Sequence, residues 1–161
     1  MSLVIDHKLL VEEESKISKT LEGVYHKGQK HAWNGKRVLN DLLNKHDGIK
    51  NISYSQRNAL KNIFSVILWG ELAAWKISAQ LAAELNNIEA KMAATSQVHD
   101  EARHFYVMRD YLSLGDYEDI STVLPPSVET TLSMVLSTEN LAKKLLGMQL
   151  MVEPVALTIF Q

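Results

Sequence analysis

The stretch from Ile52 to Leu114 contains one glycine and no proline, and this scarcity of helix breakers constrains the fold more than any other feature. Glycine and proline are the residues that most often interrupt helices and form turns. The whole chain of 161 residues has only 7 Gly and 3 Pro, which is too few for an all-β fold of this length. No segment shows the sustained apolar–polar alternation that strands show. We therefore expect an all-α protein.

Breakers divide the chain into several helical regions. The first helical region contains glycines at which its helix could break. An Asn-Asn turn separates the second helical region from the third. After the last loop, Ser127 is a candidate N-cap. The length is typical of one domain, so we expect residues 1–161 to form a single helical domain with residues 1–50 as an N-terminal helical region. The expected helical regions are residues 6–44, 55–85, 88–114 and 127 onward.

Composition excludes several classes of function. Lys and Arg number 17 against 19 for Asp and Glu, so there is no basic excess for nucleic-acid binding. The absence of cysteine removes disulfides, zinc–thiolate sites and iron–sulfur clusters, and leaves carboxylate, imidazole and hydroxyl groups for any chemistry. No apolar run approaches the ~20 residues of a membrane span, and no secretory signal stands at the front. We therefore expect a cytoplasmic protein with no membrane or nucleic-acid partner.

A single carboxylate interrupts an apolar face of the second helical region. Residues three or four positions from Glu71 are Ile67, Leu68, Ala74 and Trp75, and all of these lie on its side of a helix. An ionised carboxylate that is buried without a partner is strongly destabilising. Glu71 therefore either faces water or has a counter-charge.

The third helical region carries a Glu-x-x-His pair. Glu101 and His104 are three residues apart, so they point to the same side of a helix, where a carboxylate oxygen and an imidazole nitrogen can ligate one metal ion. At ~1.5 Å per residue, Glu71 and Glu101 both lie about 20 Å from the turn that joins their helices. An antiparallel pair of helices would therefore bring Glu71 level with Glu101 and His104. Taken alone, Glu101 and His104 could equally be an exposed helix pair.

A fourth carboxylate stands in an apolar segment near the C-terminus. Glu153 is the only charged residue between Leu145 and Phe160, and Pro154 after it would bend a helix. A helix unbroken from Ser127 would carry Glu153 about 39 Å along its axis, beyond the height of the other three groups. We therefore expect a helix break near residues 137–138. The alternative interpretation is a frayed segment with Glu153 near its solvated end.

Together these groups resemble the ligand pattern of the ferritin-like di-iron carboxylate proteins, in which a Glu is followed by Glu-x-x-His and then by a further Glu. The string Asp-Glu-Ala-Arg-His at residues 100–104 is similar to the Asp-Glu-x-Arg-His motif of bacterial di-iron monooxygenase hydroxylases. Related strings occur in ribonucleotide-reductase-small-subunit-like oxidases. The resemblance covers residues 52–161 and implies a ferritin-like helical bundle. The matching positions are Glu71, Glu101, His104 and Glu153.

The resemblance also implies roles for these residues. Glu71 would be a terminal ligand to one iron, Glu101 would bridge two irons, and His104 would complete the first iron's shell. Glu153 would bind the second iron, with manganese as an alternative metal. The implied activity is dioxygen activation, of oxidase or monooxygenase type, on an unidentified small-molecule substrate.

The resemblance further implies that Asp100 and Arg103 orient the ligands and hold the histidine tautomer. One departure concerns Met108, which stands where reductase small subunits carry a radical tyrosine, and this argues against a radical generator. A second concerns Leu157, which stands where the hydroxylases often carry a threonine.

The second Glu-x-x-His of the family is absent, so we expect a bundle that lacks its last core helix. Three explanations compete. The chain could be a fragment of a longer protein, which we favour; a symmetric homodimer could supply the missing ligands; or the site could hold one metal or none. The alternative function is accordingly a metal-free or single-metal helical interaction domain that retains a remnant site.

Overall fold

The computed structural model describes residues 12–45, 52–114 and 124–152, together with Pro154 and Thr158. Within these residues the chain is helical and contains no strand, which confirms the expected all-α class. None of the described helices is long and apolar enough to cross a membrane. The elements are α1 (Glu12–Lys30), α2 (Gly35–Lys45), α3 (Tyr54–Glu84), α4 (Ile88–Leu114), α5 (Pro126–Ser137), α6 (Leu141–Leu146) and a π-helical turn (Gly147–Val152).

Most helix bounds follow the breakers in the sequence. The ends of α3 and α4 lie within one residue of the expected positions, and the expected break near residues 137–138 is confirmed by the interruption between α5 and α6. In the N-terminal region, Gly23 and Gly28 lie inside α1, and the helix breaks over residues 31–34, directly before Gly35.

The expected N-cap at Ser127 is wrong. Helix α5 begins one residue earlier, at Pro126, and its N-cap is Pro125, which makes no side-chain hydrogen bond to the helix. Proline suits the first helical position because its φ is already helical and the N–H that it lacks would be unpaired there. The proline pair therefore starts the helix without a capping side chain.

A short connection joins α3 and α4 into an antiparallel hairpin. The side chain of Asn87 accepts a hydrogen bond from the backbone N–H of Ala90 at 2.8 Å and caps the start of α4. The ammonium group of Lys91 donates to the carbonyl oxygen of Ala83 at 2.7 Å and to that of Ala82 at 3.3 Å, at the C-terminal end of α3. Free carbonyls at a helix C-terminus favour a cation, so Lys91 fastens the turn from the opposite helix.

Two apolar clusters lie along this hairpin. The cluster nearer the α3–α4 turn also takes in residues from α5 and the π-helical turn, while the distal cluster lies towards the start of α3 and the end of α4. Helix α1 packs along α4 on one side of the hairpin, and α5 and α6 pack against α3. The buried members are Ala74, Ile77, Leu81, Ala94, Val135 and Met148 in the first cluster, and Leu68 and Leu112 in the second.

Candidate metal site

The α3–α4 hairpin brings Glu71, Glu101 and His104 together. The Nδ1 atom of His104 lies 3.4 Å from Oε2 of Glu71 and 3.5 Å from Oε2 of Glu101. One oxygen or nitrogen atom of each residue lies within 4.8 Å of those of the other two. The expectation that an antiparallel pair of helices would place the three groups level is therefore confirmed.

The three groups form a polar layer between the two apolar clusters. The Glu101 side chain is 9% exposed and that of Glu71 is 14% exposed, whereas the His104 side chain is 42% exposed. The amide of Gln97, one turn before Glu101, donates to Oε1 of Glu101 at 3.3 Å. Because Oε1 is occupied by the amide, Oε2 is the oxygen directed at His104.

Burial and mutual contact shift the pKa values of Glu101 and His104. Burial raises the pKa of Glu101, the contact with His104 opposes that rise, and the neighbouring Glu71 adds to it. Contacts with the carboxylates of Glu101 and then Glu71 raise the pKa of His104 from 6.5 to about 10, although burial acts in the opposite direction. At neutral pH and without metal, the imidazole is therefore protonated and shares its positive charge between the two carboxylates.

The same arrangement suits a divalent metal ion. Metal–ligand bonds of about 2.1 Å at tetrahedral or octahedral angles place two donor atoms about 3.0–3.4 Å apart. The separations of 3.4 and 3.5 Å between His104 and the two carboxylates are close to this range. They are longer than the ~2.7–2.9 Å typical of a charge-assisted N–H···O hydrogen bond. Two carboxylates and one imidazole are a donor set for iron, manganese or zinc.

Asp100 and Arg103 lie beside the three-residue cluster and form a separate pair. An Nη2–H of Arg103 donates to Oδ1 of Asp100, and the Arg103 side chain is 7% exposed. Nε and Nη1 of Arg103 have no hydrogen-bond partner among the described residues. The guanidinium carbon lies 4.8 Å from the ring centroid of Trp33, so an aromatic face covers these buried N–H groups.

The fourth predicted ligand, Glu153, lies outside the described residues, and so does Leu157. Glu71, Glu101 and His104 form the one group of three or more acidic or histidine residues close enough to hold an ion in the described part of the chain. The π-helical turn ends at Val152, directly before Glu153, and such turns are frequent at functional sites.

Trp33 was not among the residues that the sequence predicted at the metal site. Its ring stacks on that of His104, with centroids 6.3 Å apart and an angle of 27° between the planes. Trp33 follows α1 by three residues and precedes α2 by two, in a turn without helical or strand periodicity. The other described histidines, His26, His31 and His99, are exposed, and His7 and His46 lie outside the described residues.

No family model, curated protein or solved structure matches this chain in comparisons with known proteins. The likeness to ferritin-like di-iron proteins therefore rests on the spacing of Glu71, Glu101, His104 and Glu153 in the sequence. The helical hairpin and its polar layer are seen in the structure of this chain and do not depend on that likeness.

Proposed function

We propose that this chain is a ferritin-like oxidoreductase of the di-iron carboxylate type, in which Glu71, Glu101 and His104 bind metal as one half of a dinuclear site. The observation that carries the proposal is the convergence of two carboxylates and an imidazole, from two helices, within 4.8 Å of one another. Glu153 is the proposed ligand of the second metal. Iron is the expected metal and manganese the alternative, because oxygen and nitrogen donors suit both.

Glu101 and His104 differ in the roles that their surroundings allow. Glu101 is the most buried of the three residues, and the hydrogen bond from Gln97 to its Oε1 restrains the carboxylate before a metal binds. His104 must lose its Nδ1 proton to become a ligand, and its exposed side gives that proton a route to water. Ferrous iron held by these residues would supply electrons for activating dioxygen, and the activated oxygen would oxidise an unidentified small molecule.

Charge supports metal binding at this position. Two largely buried carboxylates face one imidazole, so with both carboxylates ionised the cluster has an excess of negative charge even when His104 is protonated. Removing carboxylates from water is costly unless a cation compensates them. A divalent ion would offset both carboxylates and allow His104 to bind in its neutral form.

A loading experiment tests the binding part of the proposal. The chain is incubated anaerobically with ferrous iron, desalted and analysed for bound metal, alongside Glu101→Gln. We expect the wild-type chain to retain iron and Glu101→Gln to lose it. The matched control is Glu84→Gln, which removes an exposed carboxylate at the end of α3 and should retain iron. If neither iron nor manganese stays bound to the wild type, the proposal fails.

An oxidation experiment tests the redox part. The ferrous protein is mixed with dissolved dioxygen, and visible absorption and dioxygen consumption are followed. We expect both to change in the wild type and in Glu84→Gln. Retention of iron with neither dioxygen consumption nor a spectral change would limit the chain to metal binding.

A metal-free helical interaction domain is the second candidate. The observation in its favour is the contact of His104 Nδ1 with Glu101 at 3.5 Å and with Glu71 at 3.4 Å, which raises the pKa of His104 to about 10. An imidazolium in contact with two carboxylates stabilises the cluster without a metal. This candidate predicts that a chelator leaves the melting temperature unchanged. The metalloprotein predicts that the melting temperature rises with added metal in the wild type and stays constant in Glu101→Gln.

A further inference from the structure

We infer that Trp33, in the turn between α1 and α2, is a positioning residue of the metal site that holds the ring of His104 in the orientation needed for ligation. This inference rests on the proposed metal binding and deepens it, because it makes the N-terminal helices part of the site. It also goes beyond the sequence resemblance, which begins after these helices.

The first observation is the stacking of the two rings. The Trp33 and His104 centroids are 6.3 Å apart and their planes differ by 27°, which is an offset-stacked arrangement. A stacked imidazole cannot turn about its Cβ–Cγ bond without losing the contact. The indole therefore restrains the rotation that would move Nδ1 away from Glu71 and Glu101.

The second observation is that Trp33 is itself anchored by the neighbouring residue of α4. The guanidinium carbon of Arg103 lies 4.8 Å from the Trp33 ring centroid, within the range of a cation–π contact. Arg103 is buried and bonded to Asp100, so the cation cannot move freely. One indole therefore spans a fixed cation and the proposed metal ligand.

The third observation is the hydrogen bonding of the turn that carries Trp33. Before it, the N–H of His31 donates to the carbonyl of Lys27 at 3.0 Å and extends α1. After it, Oδ1 of Asn34 accepts from the N–H of Arg37 at 2.9 Å and caps α2. Both ends of the turn are therefore fixed to a helix.

The fourth observation is a pair of glycines that let the turn approach α4 closely. A Cβ added at Gly28 would overlap the side chain of Ser96, and one added at Gly35 would overlap those of Tyr106 and Val107. The two glycines flank Trp33 in the sequence and contact α4 on either side of His104. Larger residues at these positions would push the turn away from the site.

These contacts predict a measurable loss when the indole is removed. Groups that orient metal ligands typically contribute about 10–100-fold to metal affinity. We expect Trp33→Ala to weaken metal binding by roughly this factor while all three ligands remain. Trp33→Phe keeps an aromatic face and should recover most of the affinity.

The test is a Co²⁺ titration of four proteins: the wild type, Trp33→Ala, Trp33→Phe and Trp69→Phe. Binding is monitored by visible absorption and by tryptophan fluorescence. Trp69→Phe is the matched control, since it removes a different indole. Because Trp33 contacts a proposed ligand, we expect Co²⁺ to quench its emission in the wild type and in Trp69→Phe. Quenching should be weaker in Trp33→Phe than in Trp69→Phe.

A metal-free measurement tests the contact separately. Diethylpyrocarbonate modifies accessible imidazoles, and mass spectrometry reports the rate at His104. We expect faster modification in Trp33→Ala than in the wild type. Gly28→Leu keeps the Trp33 side chain but displaces the turn that carries it, and it should accelerate modification in the same way.

The outcomes separate this inference from the proposed function. If the wild type binds Co²⁺ and Trp33→Ala binds it equally well, the inference is overturned and the metal site stands. If the wild type binds no Co²⁺, the metal site fails and the positioning role fails with it. If His104 is modified at the same rate in the wild type, Trp33→Ala and Gly28→Leu, the indole does not hold the ring.

Discussion

Two acid–base pairs lie one position apart on α4, and in each pair the base follows the acid by three positions. Asp100 with Arg103 is balanced: one carboxylate meets one guanidinium, and the arginine is buried. Glu101 with His104 is unbalanced, because α3 adds the carboxylate of Glu71 to the same imidazole. A difference of one position on the helix thus separates a neutral pair from a cluster with surplus negative charge.

Spacing alone does not distinguish a candidate metal site from a structural ion pair, since both pairs have the same i, i+3 separation. The distinction comes from a third group on another helix and from a base that can give up its proton. Arginine stays charged at any ordinary pH, whereas histidine can become a neutral ligand.

The largest expected effect concerns the balanced pair. Asp100→Ala leaves a buried guanidinium without its carboxylate, and we expect a loss of about 3 kcal/mol in the free energy of unfolding, measured with urea. The control is Asp110→Ala, because the Arg109 side chain that it pairs with is 54% exposed. Exposed pairs contribute about 0–1 kcal/mol. Equal losses in the two variants would contradict the view that Asp100 holds a buried charge.

The next effect concerns metal affinity and pH. Because the pKa of His104 is about 10 without metal, binding must release its proton at neutral pH. We expect affinity for Co²⁺ to rise about tenfold per pH unit, or roughly 100-fold between pH 6 and 8, with one proton released. Titration calorimetry in buffers of different ionisation enthalpy counts the released protons. Asp100→Asn should retain this slope, and an affinity independent of pH would refute His104 as a ligand.

Removing the carboxylate of Glu71 should make the Glu101–His104 pair resemble the balanced pair of Asp100 and Arg103. In Glu71→Gln, one of the carboxylates that raise the pKa of His104 is gone, so that pKa should fall from about 10 towards its ordinary value of 6.5. A raised histidine pKa contributes stability that is complete below about pH 6.5 and is lost as pH rises through about 10. That loss should therefore occur at lower pH in Glu71→Gln.

Nuclear magnetic resonance titration of the His104 ring protons, in metal-free protein, measures this change. Glu84→Gln is again the control and should titrate like the wild type. An unchanged His104 pKa in Glu71→Gln would mean that α3 does not contribute to the cluster in solution.

The smallest effect concerns the helix that supplies Glu71. Among the described atoms outside the neighbouring backbone of α3, none lies within 4 Å of the place that a Cβ on Gly70 would take. Gly70→Ala should therefore stabilise the fold by about 0.5–1 kcal/mol, through helix propensity, in thermal unfolding. Metal affinity should stay the same. A weakened affinity would show that the position of Glu71 depends on flexibility at this glycine.

The sequence was sufficient to predict the hairpin and the meeting of three side chains. The bounds of α3 and α4 depend on local breakers, and a constant rise per residue fixes which positions lie level. Residues Glu71, Glu101 and His104 were therefore predictable from counting alone. The break after Ser137 followed from the same arithmetic.

The contacts of Trp33 were not predictable in this way. A turn has no periodicity from which to calculate direction, and the distance between α1 and α4 depends on glycines that fit against particular side chains. The start of α5 at Pro126 was missed because a serine after two prolines resembles an N-cap, whereas the proline itself occupies the first helical position.

The short connection between α3 and α4 has a consequence for the order of folding. Only residues 85–87 separate the two helices, and Lys91 fastens the turn. Contacts between residues close in the sequence lose little chain entropy when they form, and they usually form early. Glu71, Glu101 and His104 all belong to this hairpin, so their cluster should assemble as soon as it closes. A newly made chain would then expose the carboxylates to cellular cations before α5 and α6 have docked.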